Sequence, residues 1–322
     1  MRTGFYTHPD FLLHVTREGH PERPERLVAI ELMLHQTGLW AQLQRPEFGP
    51  ATEEQLWACH TRAHIERVRH LSEQGCGELD GDTVVGPASF EVARLASGAA
   101  IAATDAVLAG RLDNAFCAVR PPGHHAGSGR QQRWPWGFCL FNHVAVAARY
   151  AQSHCGVEKV AILDFDVHHG NGTQEIFEGD HSVLFVSLHE WGIFPGSGAD
   201  QERGIGDGLG TTINFPIPSH SDGRVYRRAW EQVGVAVEKF GPELIIVSAG
   251  FDAHIGDPLA HMALLSVDFG YIVAQTKAWA EKLCDGHLVC VLEGGYNLGA
   301  LSESVAGVIA VLLGDQDGAA VE

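Results

Sequence analysis

The chain has 322 residues, of which 45% are hydrophobic, with 40 acidic and 22 basic side chains and a formal net charge of −18. That hydrophobic content is ample for a packed core. The negative net charge argues against nucleic-acid binding, which requires a basic face. It would also be repelled by an anionic membrane surface, and it favours a cationic substrate or peptide.

The sequence also lacks the usual export and membrane signals. No run approaches the roughly 18 consecutive apolar residues of a membrane span, and residues 1–6 have no apolar centre of a signal peptide. Seven cysteines form no Cys-x-x-Cys pair, and several lie in apolar runs, such as Cys117 and Cys290. Because this pattern is typical of reduced, buried thiols, we expect a soluble cytoplasmic protein.

Short apolar runs alternate with longer stretches of helical periodicity, which predicts an α/β fold with a largely parallel sheet. Predicted strands span residues 3–6, 115–119, 160–165, 183–188, 211–215, 244–248 and 288–292. Predicted helices span residues 26–34, 89–109, 143–154, 224–240, 267–283 and 299–313. No repeat or Pro/Ser-rich linker interrupts them, so we expect one domain over 1–322. Ligands of parallel α/β sheets bind beyond the carboxyl ends of the strands, so the polar segments there are the candidate sites.

The strongest signal is the segment ILDFDVHHGNG at 162–172. Asp164, Asp166 and His168 alternate along an extended strand, so their side chains share one face. Two unpaired carboxylates on that face would repel each other and lose hydration, and a cation between them removes both penalties. The spacing therefore predicts a metal site rather than a salt-bridged strand end.

A second strand, 244–248, also runs directly into an acid, Asp252, with Gly250 allowing a close backbone approach. If the two strand ends are neighbours, Asp252 completes an Asp–His–Asp set with Asp166 and His168. Three protein ligands leave a position open for water or substrate, as catalytic zinc requires.

Two further strand ends carry groups suited to acid–base and oxyanion chemistry. His124 and His125 follow strand 115–119 on a Pro-Gly turn, and imidazole titrates near working pH. Either Asp164 or Asn171 could orient them. Tyr296 follows strand 288–292 on a Gly-Gly turn, from which a tyrosine hydroxyl can reach a developing oxyanion.

Together these motifs resemble the histone deacetylase superfamily, the arginase-like zinc deacylases that include acetylpolyamine amidohydrolases. The matching segments are RPPGHHA at 120–126, GFCLFN at 137–142, ILDFDVHHGNGTQ at 162–174, SLHEWGIFPGSG at 187–198, SAGFDAHIGDPL at 248–259 and EGGYN at 293–297. They span most of the chain in the family's order and look like class II and its bacterial relatives. The resemblance implies a three-layer arginase/deacetylase-like α/β fold, with a central, mostly parallel sheet and helices on both faces.

By this resemblance, Asp166, His168 and Asp252 are the ligands of one catalytic zinc ion. A structural potassium ion is also implied, held by Asp164, Asp166, His168, Ser187 and Leu188, the last two largely through backbone or hydroxyl oxygens. Because Asp and His ligands also accept Fe²⁺ or Co²⁺, the metal used in the cell stays open.

The resemblance also assigns the catalytic roles. His125 is the general base and acid, and His124 is its electrostatic partner, with Asp164 oriented toward His124. Asn171 is a neutral partner for His125 where class I relatives carry an acid, so we expect a less basic His125 than in those relatives. Tyr296 polarises the amide carbonyl and stabilises the oxyanion.

The substrate tunnel is implied to hold the aliphatic arm of an acyl-lysine between aromatic faces. Its implied residues are Gly137, Phe138, Phe194, Leu259 and Gly295. Leu259 is expected at the mouth, where a polyamine-preferring relative carries a glutamate.

We therefore expect a zinc-dependent deacylase of lysine side chains in proteins or peptides, in which a metal-activated water attacks the amide. An acetylpolyamine amidohydrolase has the same chemistry and stays open, as does a homo-oligomeric state. An arginase-type binuclear enzyme is disfavoured, because that group uses an Asp-x-His-x-Asp order. A catalytically silent acyl-lysine binding protein is the alternative from another class.

Overall fold

The sheet at the centre of the molecule is parallel throughout. The computed structural model describes residues 1–130 and 135–315, and the strands there are β1 (Thr3–Tyr6), β2 (Gly77–Glu78), β3 (Val84–Val85), β4 (Asn114–Cys117), β5 (Val160–Asp164), β6 (Val183–Glu190), β7 (Thr212–Ile217), β8 (Leu244–Ala249) and β9 (Leu288–Leu292). Seven of these described strands form one sheet in the order β1-β4-β9-β8-β5-β6-β7, and every neighbouring pair is parallel. Strands β2 and β3 form a separate antiparallel pair.

The central strands are buried on both faces. Every residue of β5, β8 and β9 is buried, and their sequences VAILD, LIIVSA and LVCVL are near-continuous apolar runs. Such runs are typical of parallel strands covered by helices on both sides, because a solvated face would alternate with polar residues. The expected α/β architecture with a central parallel sheet is confirmed.

Helices surround this sheet. Their bounds are α1 (Glu25–Gln36), α2 (Glu53–Trp57), α3 (Arg62–Glu73), α4 (Ser89–Leu108), α5 (His143–His154), α6 (Asn171–Phe177), α7 (Gly223–Phe240), α8 (Ser266–Leu283) and α9 (Leu298–Leu313). Helices α7, α8, α9 and α1 pack in succession, and α4 packs against α5. Helix α4 carries small buried residues at helical spacing, which allow it to lie close to its neighbours.

Some elements differ from the sequence-based expectation. Helices α2, α3 and α6 were not expected, and α3 escapes notice because charged residues and histidines outnumber its buried apolar residues, Ile65 and Val68. Strand β7 continues through Pro216 to Ile217, although a proline normally ends a strand. Because β7 lies at the edge of the sheet, its proline is tolerated there.

The strand order decides where polar residues meet. Strands β4, β9, β8 and β5 are consecutive neighbours in the sheet, although they are far apart in the chain. Their carboxyl ends therefore lie side by side at one edge of the sheet, and the segments that follow them converge. In the described parts of the chain, no helix is long and apolar enough to cross a membrane.

Candidate functional site

The end of β5 presents its polar residues in an ordered turn. Asp164 is the last residue of the strand, and its Oδ1 accepts a hydrogen bond from the Asp166 backbone N at 3.0 Å. The Asp166 Oδ1 in turn accepts from the His168 backbone N at 2.9 Å. Asp164, Asp166 and His168 are all buried. The two backbone hydrogen bonds hold the carboxylates of Asp164 and Asp166 in fixed positions within this turn.

Asp166, His168 and Asp252 converge on one point. The His168 Nδ1 lies 3.2 Å from Asp166 Oδ1 and 3.1 Å from Asp252 Oδ2, and one ligand atom from each residue falls within 4.8 Å of the others. Burial lowers the pKa of His168, but hydrogen bonds to Asp166 and Asp252 outweigh that effect and raise the pKa to about 10. Burial, together with the negative charge of Asp166, raises the pKa of Asp252.

The main chain lies so close to these three residues that Gly250 and Gly294 have no room for a side chain. A Cβ on Gly250 would lie 2.0 Å from Asp166 Oδ2, and one on Gly294 would lie 2.1 Å from Asp252 Oδ2. Gly294 also donates its N–H to Asp166 Oδ2 at 2.8 Å. Two buried carboxylates and an imidazole at this spacing, held by close backbone, are a donor set that fits a divalent cation such as zinc.

The two adjacent histidines face different partners. His124 Nδ1 lies 2.9 Å from Asp164 Oδ2, whereas His125 Nδ1 lies 2.6 Å from Asn171 Oδ1. The alternatives left open by the sequence therefore both occur, with one partner for each ring. The ring centroids are 4.0 Å apart.

The surroundings of the two imidazoles shift their pKa values in opposite directions. Burial opposes the charged form of His124, but Asp164 and Asp166 raise its pKa well above the usual value. Burial and the positive charges of His124 and His168 lower the pKa of His125 well below the usual value. The site thus places a cationic imidazole beside a neutral one, which is the arrangement needed for a base with an electrostatic partner.

Glu293 is a buried residue of the site that sequence reasoning missed. Its Oε2 accepts hydrogen bonds from the backbone N of Gly123 at 2.6 Å and of His124 at 3.1 Å, and its Oε1 accepts from Ser248 Oγ at 3.1 Å. Burial raises the pKa of Glu293 to about 7. The signal was available, because Glu293 follows an apolar strand as Asp252 does.

Tyr296 lies on the turn after β9 with 8% of its surface exposed. The preceding Gly295 has φ +114°, a conformation that glycine adopts without strain. The Tyr296 ring meets Phe138 edge to face at 5.8 Å, and the guanidinium of Arg26 lies 5.1 Å from its centroid. Burial and the negative charge of Asp252 raise the pKa of Tyr296 well above 10, so its hydroxyl stays a hydrogen-bond donor.

The expected tunnel residues lie around this centre. The Phe194 ring stands edge to face with His125 at 5.0 Å. Gly137 has φ +49°, and a Cβ there would lie 2.3 Å from His125 Cδ2 and 2.9 Å from Phe194 Cε1. Leu259 is half-buried and connects to the Tyr296 turn through Asp257, which accepts from the backbone N of both residues.

The residues implied for potassium lie on β5, in the segment directly after it, and on the neighbouring strand β6. Ser187 of β6 is the register partner of Asp164 on β5, and Leu188 follows it; both are buried. The Ser187 hydroxyl lies 2.9 Å from His189 Nδ1. An ion at this position stays a prediction.

A buried charge cluster behind the site was also missed by sequence reasoning. Glu22 lies between two arginines, 2.7 Å from Arg120 Nη2 through Oε2 and 3.3 Å from Arg26 Nη1 through Oε1. Burial raises the pKa of Glu22, but Arg120 and His14 outweigh it and hold the pKa well below its ordinary value. This cluster fixes Arg120, where the segment that leads to His124 begins.

Comparison with known proteins places the whole chain among related enzymes. The sequence matches the family model of the histone deacetylase domain over residues 20–312. It is 43% identical to a histone deacetylase-like amidohydrolase of Pseudomonas aeruginosa over 281 residues, covering 87% of this chain and 73% of the relative. It is 38% identical to a probable deacetylase of Archaeoglobus fulgidus, covering 98% of this chain and 87% of the relative.

Two further similarities concern substrate and fold. The human polyamine deacetylase HDAC10 is 37% identical over 346 residues, covering 98% of this chain and 48% of the relative. The crystal structure of the HDA15 HD domain superposes with a TM-score of 0.90 at 38% identity, covering 98% of this chain and 90% of that one.

Proposed function

This chain belongs to the histone deacetylase family of hydrolases, and on that premise we propose that it is a zinc-dependent amidohydrolase that removes acetyl or other acyl groups from lysine side chains of proteins or peptides. The observation that carries the proposal is the convergence of Asp166, His168 and Asp252 beside His125 and Tyr296. A metal-ligand set, a base and an oxyanion donor are the parts that metal-assisted amide hydrolysis requires.

Asp166, His168 and Asp252 would hold the zinc ion. When bound, zinc polarises the acyl carbonyl and lowers the pKa of a water molecule. The same ligand set accepts Fe²⁺ or Co²⁺, so metal content is part of the test. We further propose the structural potassium at Asp164, Asp166, His168, Ser187 and Leu188, supported by the register that joins Asp164 to Ser187.

The two histidines divide the proton transfers. His125 directs Nδ1 at the Asn171 carbonyl oxygen, so Nδ1 carries the proton and Nε2 is the basic atom. Nε2 takes a proton from the attacking water and returns it to the leaving amine. His124, held cationic by Asp164, stabilises the negative charge that develops beside it.

Tyr296 acts on the carbonyl oxygen. Its hydroxyl is a donor at all working pH values because its pKa is raised, and a donor aimed at a developing oxyanion stabilises the transition state more than the ground state. The edge contact with Phe138 restrains the ring that carries it.

Features of the tunnel support an acyl-lysine substrate. Phe138 and Phe194 supply aromatic faces for a long apolar stem. The net charge of −18 suits a cationic peptide and a cationic polyamine alike, so charge does not separate the two substrates. Leu259 adds no carboxylate with which a polyamine amine group would pair. The seven cysteines, all unpaired, fit a reducing compartment such as the cytoplasm.

Turnover tests the substrate assignment directly. The zinc-loaded protein is assayed on an acetyl-lysine peptide and on acetylputrescine, with a hydroxamate as a metal-directed inhibitor. Preference for the peptide, abolished by the hydroxamate, is the expected result. Preference for acetylputrescine would keep the mechanism and overturn the lysine assignment, whereas tight hydroxamate binding without turnover would indicate a binding protein.

A further inference from the structure

Asp257 is a buried carboxylate that the proposed mechanism does not use. It lies in the segment between β8 and α8, with 8% of its surface exposed. Its contacts are with backbone N–H groups: Oδ1 accepts from Leu259 at 3.0 Å, and Oδ2 accepts from Tyr296 at 2.7 Å and Asn297 at 3.3 Å. One side chain therefore joins two segments that are 37 or more positions apart, one with Leu259 and the other with Tyr296.

Placing an ionised carboxyl group here is costly. Burial, with the negative charge of Asp252, raises the pKa of Asp257 to about 7. Three backbone hydrogen bonds offset part of the loss of hydration, because a hydrogen bond to a carboxylate is stronger than one to a neutral acceptor. The amide of an asparagine has the same shape but only one acceptor oxygen, so it cannot accept from both Leu259 and Tyr296. The two sets of N–H donors therefore explain why a carboxylate suits this position.

The turn that Asp257 holds is fixed by contacts with groups outside it. Gly294 and Gly295 precede Tyr296 and have no side chains to pack, and the Gly294 N–H donates to Asp166 Oδ2 at 2.8 Å. Arg26 donates to the carbonyl oxygens of Glu293 at 2.6 Å and of Gly295 at 2.7 Å. The carbonyl side of the turn is thus held by Arg26, and the N–H side, where Tyr296 begins, is held by Asp257.

We propose that Asp257 is a positioning residue that fixes the backbone of Tyr296 and ties it to Leu259, so that the oxyanion donor and the tunnel mouth keep one relative position. A displacement of about 1 Å at a reacting group lowers rates about 10²-fold, so this link controls catalysis without touching substrate. Because the same carboxylate bonds both residues, a substrate that displaces Leu259 would also displace Tyr296. The inference builds on the proposed function, but its first test does not depend on turnover.

The first test is amide hydrogen exchange in zinc-loaded Asp257→Asn. Asparagine keeps the shape but replaces one acceptor oxygen with a donor, so one of the two segments loses its partner. We expect the amides of the segment that faces the new NH2 group, either Leu259 or Tyr296 and Asn297, to exchange about tenfold faster or more. Unchanged exchange at all three residues overturns the proposal, whether or not the protein turns over any substrate.

Two further variants guard this test. Asp257→Ser removes the carboxylate without adding a donor amide, and supplies the same comparison if Asp257→Asn does not fold. Glu190→Gln is the matched control, because Glu190 is also a buried carboxylate, at the end of β6, and bonds Ser219 and His261. Faster exchange at Tyr296 in Glu190→Gln would mean that any buried carboxylate here has that effect, and would overturn the assignment. Zinc content near one ion per chain in Asp257→Asn shows that Asp252 is intact.

The second test is a double-mutant cycle on the peptide substrate. Asp257→Asn is expected to lower kcat about 10²-fold with KM nearly unchanged, because binding in the tunnel is preserved. In a Tyr296→Phe background the same substitution is expected to cost less than about threefold, since Asp257 acts through the lost hydroxyl. Equal losses in both backgrounds would overturn the proposal, and absence of turnover in the unsubstituted protein would instead overturn the proposed function.

Discussion

At the scale of single residues, the site depends on which neighbour each polar atom meets. His124 and His125 are adjacent in sequence, yet their pKa values shift in opposite directions. Burial opposes the charged form of both rings, but Asp164 and Asp166 raise the pKa of His124, whereas the positive charges of His124 and His168 further lower that of His125, whose partner Asn171 is neutral. The charges around each ring therefore decide which ring is cationic.

Asn171→Asp tests this dependence. A negative charge beside His125 stabilises its imidazolium form and raises its pKa. The base acts when neutral, so the acidic limb of the profile of kcat/KM against pH is expected to move to higher pH, with lower activity at neutral pH. An acidic limb at the same pH in both proteins would show that His125 is not the titrating base.

Tyr296→Phe tests the oxyanion donor. The substitution removes one hydroxyl and keeps the ring that meets Phe138, so the fold and the unfolding temperature should be preserved. Turnover of the acetyl-lysine peptide is expected to fall about 10²–10³-fold, as for loss of one oxyanion donor. Tyr150→Phe is the control, because its hydroxyl bonds Asp105 away from the site. Normal turnover in Tyr296→Phe would exclude the assigned role.

At the scale of elements, the turns after β8 and β9 act as a close-fitting wall. Gly250 and Gly294 bring main chain against Asp166 and Asp252, where even one Cβ would overlap a carboxylate oxygen. The ligand positions are therefore set by backbone as much as by side chains.

Gly250→Ala is expected to displace Asp166 and weaken zinc affinity by at least about tenfold, because backbone and strand on both sides resist movement. Isothermal titration with zinc measures the change, and circular dichroism checks the fold. The control is Gly299→Ala in the first turn of α9, where the nearest atom to a Cβ is 3.5 Å away. Equal zinc affinity in Gly250→Ala and the unsubstituted protein would contradict the fit described for this wall.

The sequence predicted the positions of several site residues that directly follow their own apolar strand. An apolar run followed by an acid placed Asp166 and Asp252 at the sheet edge, and the structure brings both together with His168. Sequence reasoning missed Glu293, although this residue also follows an apolar strand, and it missed Asp257, which does not. The partners of both residues depend on strand order, and no local pattern indicates that β9 lies between β4 and β8. The same limit applies to the charge cluster around Glu22, whose partners Arg26, on α1, and Arg120, after β4, are far apart in the chain.

At the scale of the whole molecule, buried negative charge is concentrated on one side of the core. Asp164, Asp166, Asp252, Asp257 and Glu293 are all buried at the same edge of the sheet. Carboxylates in such proximity raise one another's energy, so a cation bound among them stabilises the folded state more than the unfolded one.

Zinc is therefore expected to raise the unfolding temperature, and a chelator to lower it again. At a free zinc concentration of 100 Kd the stabilisation is about 2.7 kcal/mol. Differential scanning calorimetry with and without zinc measures it. Asp252→Asn removes one ligand charge and should lose most of the shift, and an equal shift in that variant would mean that zinc stabilises the protein from another position.

The position of β9 has a consequence for how the protein is made. Among the strands of residues 1–130 and 135–315, β9 comes last in sequence but lies in the middle of the sheet, between β4 and β8. Until the ribosome has released residue 292, the nascent chain carries two half-sheets with open edges that face each other, a state exposed to mispairing and aggregation. The proposed zinc ligands after β5 and β8 are synthesised earlier, but they meet the histidine pair after β4 only when β9 inserts. We therefore expect the complete site to form only after β9 has been synthesised.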